Sequence, residues 1–139
     1  MVRRIILVAA LAGAAAYFAI GAAAERLSSQ GFEDACSRQA RIVVMTGQIN
    51  PFNDYDPFML AQKFNIEVAP LRNDADLIAD DDPQMARLVR QQAEHLSALS
   101  EALQTKPGTK ELPSEAVRVA KEAVKATSKS LVACRTREA

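Results

Sequence analysis

Residues 82–103, DPQMARLVRQQAEHLSALSEAL, decide the fold class. Asp82 can cap a helix with its carboxylate, and the ring of Pro83 suits the first helical position. The run Asp80 to Asp82 also places negative charge where a helix dipole is positive. Met85, Leu88, Val89, Ala93, Leu96, Leu99 and Leu103 then recur at three- and four-residue intervals. That spacing puts them on one face of a helix. A helix apolar on one face needs other elements to cover it, and the flanking sequence supplies helices.

Downstream, TKPGTKELP (105–113) reads as a turn around Pro107 and Gly108. A further helix is expected from Pro113 to Arg135, with Val117, Ala120, Val124, Leu131 and Cys134 on its inner face. Upstream, SQGFEDACSRQARIVVMTGQ (29–48) predicts a helix with Phe32, Cys36, Ala40, Val43 and Gly47 inward. Asp34, Arg38 and Arg41 are then expected on the outer side. Pro51 disfavours helix at Asn50 and closes that element. DPFMLAQKF (56–64) predicts a short helix with Asp56 as cap and Pro57 at its first position. The next stretch, NIEVAPLRNDADLIADDD (65–82), shows no sustained period. It is read as an extended piece around Ile66 to Val68 and then an acidic loop over residues 73–82.

Composition agrees with helices. The chain has 139 residues and seven aromatics, none a tryptophan and none beyond Phe64. Such a profile disfavours a β-sandwich, whose strands use β-branched and aromatic residues. The length suits one domain with a core rather than two.

The N-terminal segment MVRRIILVAALAGAAAYFAIGAAAER carries Arg3 and Arg4 and then an uncharged run from Ile5 to Ala24, 20 residues. That length is about what a helix needs to cross a bilayer, and the arginines orient the chain beyond Glu25 outward. Ala22 and Ala24 offer the small side chains of a signal-peptidase site, so a cleaved signal and a retained anchor are both open. The expected organisation is residues 1–24 as signal peptide or transmembrane anchor and residues 25–139 as an exported helical domain.

The two cysteines fit an oxidising address. Cys36 lies early in the first domain helix and Cys134 near the end of the last, 98 positions apart. In an up-and-down bundle with an even number of helices both fall at one end, within reach of a disulfide. The fold expected is therefore all-α: a small up-and-down bundle of three to four helices after an N-terminal signal or anchor helix.

Chemistry is sparsely supplied. His95 is the one histidine, no Gly-x-Ser-x-Gly elbow occurs, and both cysteines are committed to the bridge, so no catalytic residue is assigned. Without a C-x-x-C-H motif covalent haem is excluded. Non-covalent haem would need His95 with Met45, Met59 or Met85, and no spacing selects such a pair. Asp74, Asp76, Asp80, Asp81 and Asp82 offer oxygens to a cation, but without the glycine and bidentate glutamate of an EF-hand. No metal or cofactor is expected.

Formal net charge is zero, which gives no electrostatic case for nucleic acid. Charge is nonetheless divided: the part up to Asp82 is net acidic, and the part from Pro83 onward is net basic. Arg118, Lys121, Lys125 and Lys129 line one shoulder of the last helix. INPFNDYDPF (49–58) gathers three aromatics on a proline-stiffened turn. Pro51, Phe52, Tyr55 and Phe58, together with the basic shoulder, are the candidate contacts for a protein partner. Phe58 is expected inward and Tyr55 outward. The expected role is a non-enzymatic accessory or interaction subunit of a membrane or cell-envelope complex, on the periplasmic face of a bacterial inner membrane. A freely secreted periplasmic binding or inhibitor domain is the alternative, and a haem or metal carrier stands behind both.

Overall fold

A computed structural model describes the backbone of residues 2–50 and 55–138, and the side chains of residues 23–50 and 55–137. Helices α1 (Val2–Gly47), α2 (Pro57–Ile78), α3 (Pro83–Ala102) and α4 (Ser114–Glu138) make up all the regular structure among these residues. They form a four-helix bundle in which each packs on its chain neighbours and α4 returns to α1. Neighbours are antiparallel. Gly31 near the start of the bundled part of α1 lies against Leu77 at the end of α2, and Ser100 late in α3 donates to the Ala61 carbonyl early in α2 at 2.8 Å.

Capping residues set the helix starts as the sequence predicts. Asp56 accepts from the Phe58 amide at 2.9 Å, Asp82 accepts from the Met85 amide at 3.0 Å, and Pro57 and Pro83 open α2 and α3. Asp56 has a second task. Its other carboxylate oxygen accepts from the Gly108 amide at 2.9 Å, tying the α1–α2 connection to the α3–α4 turn. Gly108 has φ 83, a left-handed conformation that a side chain would strain.

The Cys36–Cys134 disulfide closes the other end, with α-carbons 5.8 Å apart. It joins the first helix to the last, and it fits an oxidising, non-cytoplasmic compartment. Among the described residues no helix is long and apolar enough to cross a membrane. The run Ile5–Ala24, on which a membrane span is expected, lies up to residue 22 outside the described side chains.

Four local expectations are corrected. First, the helix expected from Ser29 is part of one uninterrupted α1, and its inner face is Phe32, Ala35, Gln39, Ile42, Met45 and Thr46. Ala40, Val43 and Gly47 are exposed. The expected stripe is rotated from the true one because two polar residues, Gln39 and Thr46, hold buried positions while the apolar Val43 and Val44 face outward.

Second, α2 does not stop at Phe64 but runs to Ile78, through Pro70. Neither the extended piece around Ile66 nor the acidic loop exists as expected: Asp74 and Asp76 are helical, and only residues 79–82 form the turn. The buried positions Leu60, Phe64, Glu67, Leu71, Asp74 and Ile78 keep the three-and-four rhythm throughout. Two of them are acids, which hides the period from a reading by residue type.

Third, those acids are paired from α1. Arg41 Nε donates to Glu67 at 2.7 Å, and Arg38 Nε donates to Asp74 at 3.2 Å. Arg38 also lies 3.5 Å from Glu67. The arginines expected to face solvent thus flank the α1–α2 interface. Gly31 allows the two helices to come close, since a Cβ there would meet Leu77 Cβ at 2.8 Å and the Asp74 carbonyl at 3.1 Å.

Fourth, the inner face of α4 is made of small residues: Ala116, Ala120, Ala123, Thr127, Ser130 and Cys134 are buried, while Val117 and Val124 are exposed. Small side chains let α4 approach its neighbours; of its valines Val119 is buried with them, while Val117, Val124 and Val132 are left exposed.

A buried amide layer crosses the centre. Gln39 and Gln92 exchange hydrogen bonds of 2.9 and 2.7 Å, and Gln92 donates to Thr127 Oγ1 at 3.0 Å. Gln39 also donates to the Ala35 carbonyl at 3.0 Å. One layer therefore links α1, α3 and α4. Any shift of helix register would strand these amides, at about 1–3 kcal/mol for each group left unpaired.

Candidate interaction surfaces

Because α4 turns its alanines inward, its long side chains are all displayed. Arg118, Lys121, Lys125 and Lys129 are exposed, as the sequence predicts for a basic shoulder. The structure distributes them among different settings. Arg118 pairs with Glu115 one turn earlier, which raises its own pKa and lowers that of the glutamate. Lys121 borders a groove of 310 Å³ on the α1 side, lined also by Thr46, Ile49, Val117, Ala120 and Val124. Lys125 and Lys129 border a larger groove of 680 Å³ on the α3 side.

The larger groove has an apolar floor. Met85 and Leu88 come from the first turns of α3, and Val132 and Ala133 from the last turns of α4. Val132 is 62% exposed. It stands nine residues from the fully buried Ala123, which on a helix is the opposite face. Ser128, Thr136, Arg137, Asp82 and Gln84 complete the walls. Arg137 is held in place: its guanidinium lies 4.2 Å above the Phe32 ring and 3.7 Å from Asp82. Among the described residues, Lys125 and Lys129 make no ion pair.

At the opposite end of the bundle, Tyr55 is exposed with the Lys63 ammonium 5.1 Å over its ring. Phe58 is half-buried in the first turn of α2. Pro51 and Phe52 lie outside the described residues. The basic shoulder spans both ends: Arg118 and Lys121 lie in the first turns of α4, toward the aromatic turn, whereas Lys125 and Lys129 border the groove that runs toward the disulfide.

His95 is half-buried on α3. Met59 is exposed, and Met85 shares the helix of His95 about 15 Å away at 1.5 Å per residue, too far to ligate the same iron. Among the described residues no three His, Cys, Asp or Glu side chains converge as a metal site would require. Of the acids expected in a loop, Asp74 is buried against Arg38, Asp76 pairs with Arg90 at 2.8 Å, and Asp82 caps α3. Burial raises the Asp74 pKa, and the neighbouring Arg38 offsets this only in part.

Periodicity alone does not single out the groove floor. Its one visible signal in the sequence is Val132, an apolar residue on the otherwise charged side of α4. Comparison with known protein families, curated proteins and solved structures finds no match to this chain.

Proposed function

We propose that this chain is a non-enzymatic interaction subunit of a membrane or cell-envelope complex, working on the non-cytoplasmic side of a bacterial inner membrane. The observation that carries this reading is the Cys36–Cys134 bridge, a bond at home outside the reducing cytosol. The arginine-led uncharged run before Glu25 supports the same address. The exposed apolar residues beside Lys121, Lys125 and Lys129 support a role in contact rather than conversion. α1 continues without a break from Val2 into the bundle, a geometry suited to holding the domain on an anchor.

Ala22 and Ala24 favour a second reading, a freely secreted periplasmic binding or inhibitor domain. Intact-mass measurement of the chain from its native envelope separates the two. A mass that includes residues 1–24, with migration in a larger assembly after gentle detergent extraction, is the expected result. A chain that runs alone, whether or not it is cleaved, would sink the subunit reading.

A further inference from the structure

We infer that the α3–α4 groove seats an acidic amphipathic helix of a partner protein; this rests on the interaction reading and names its partner by chemistry. Lys125 and Lys129 stand one turn apart on α4, and neither is paired among the described residues. Below them Met85, Leu88, Val132 and Ala133 form the apolar floor. An entering helix with an apolar stripe and two carboxylates four residues apart matches this arrangement in both respects. From Lys125 to Arg137 the groove follows α4 for about 18 Å, the length of roughly 12 helical residues.

Other occupants fit less well. A small ligand is usually enclosed over most of its surface, and here Val132 stands open to solvent. A flat anionic bilayer would bring its charge against exposed Asp80 and Asp81 as well as the lysines, whereas a helix can set its carboxylates beside Lys125 and Lys129 and keep the part near Asp82 uncharged. Among the described residues no helix of a second copy offers a net acidic exposed face: α1 sets Glu25 and Glu33 against Arg26 and Arg41, α2 sets Asp76 against Lys63 and Arg72, α3 sets Glu94 and Glu101 against Arg87 and Arg90, and α4 is basic. The smaller groove on the α1 side has one bordering lysine and less than half the volume.

The test places the photo-crosslinker benzoylphenylalanine at Val132 of the full chain in its native envelope, with a second version at Val124 in the smaller groove. Both positions are exposed, so the bundle tolerates them. The adduct expected at Val132 is a partner segment with helix-spaced apolar residues and net negative charge, identified by mass spectrometry. Lys125→Glu combined with Lys129→Glu is expected to lower its yield at least tenfold, with circular dichroism unchanged. A lipid adduct, another copy of this chain, a neutral or basic segment, a yield unmoved by charge reversal, or no adduct at Val132 overturns the inference. A protein adduct at Val124 alone would leave the subunit reading standing, whereas silence at both positions would remove it as well.

Discussion

Helices α2 and α3 begin alike and differ in how legible they are. Each opens on an Asp-Pro cap, each runs for five to six turns (22 and 20 residues), and each buries one face. In α3 that face is Met85, Val89, Ala93, Leu96 and Leu99, interrupted only by the uncharged Gln92 and Ser100. In α2 it includes two carboxylates, and Pro70 sits in the interior, where a helix normally loses about 3 kcal/mol relative to alanine. One helix is held by apolar transfer and declares itself. The other depends on Arg38 and Arg41 of a different helix, so its inward face looks like a loop until α1 is beside it.

The largest effect expected on this contrast comes from reducing the disulfide. Closing a loop of 98 positions has an entropic worth of roughly 4–5 kcal/mol, an upper figure. Since the bridge also steadies the helix that carries Arg38 and Arg41, hydrogen exchange in the reduced protein should rise earlier in α2 than in α3. Equal loss of protection in both would break the distinction.

Next in size is Arg38→Ala with Arg41→Ala, which leaves two buried carboxylates without a partner. Breaking buried pairs costs about 3–5 kcal/mol, and the partial exposure of both arginines places this double variant toward the low end. Glu67→Leu should behave very differently. The Glu67 side chain is 5% exposed and that of Arg41 55%, so the arginine it releases can reach water, and urea unfolding should show a change below about 1 kcal/mol. A Glu67→Leu loss as large as that of the double arginine variant would show that the pair itself, not the burial of the acid, matters.

Gly31→Ala comes third. The added methyl gains about 1 kcal/mol of helix propensity but enters backbone and Cβ atoms of α2, where overpacking costs about 1–3 kcal/mol. A net destabilisation, read as a lower thermal midpoint, is expected, and a more stable variant would mean that α1 and α2 can separate freely.

The smallest effect concerns pH. The folded-state pKa of Asp74 is raised by burial, so its contribution to stability is fully present below the ordinary aspartate value and is lost as pH rises through the raised one. Asp74→Asn removes that loss. The variant should therefore gain on the parent as pH rises from below the ordinary aspartate range, until Asp74 is fully ionised, and then hold a constant difference. A gain of the parent over the variant across that interval would contradict the sign.

Much of the bundle was legible without coordinates. The two caps, the stripe of α3, the turn at Gly108 and the pairing of Cys36 with Cys134 come from residue type and spacing. The candidate surfaces were half legible: the lysines of α4 are where the sequence puts them, yet their apolar floor is assembled from Met85 and Leu88 of α3 with Val132 and Ala133 of α4. No spacing within α4 announces a wall contributed by another helix.

The sequence by itself determined that the chain is helical, where α2 and α3 start, and which cysteines meet, because capping, apolar rhythm and loop topology act within a helix or between its ends. Only the tertiary structure decided which side of α1, α2 and α4 faces inward. Gln39 meets Gln92 at a separation of 53 residues, Arg38 meets Asp74 at 36 and Arg41 meets Glu67 at 26. A polar side chain is stable in a core only when its partner is there, and that partner is set by packing rather than by its neighbours in the chain.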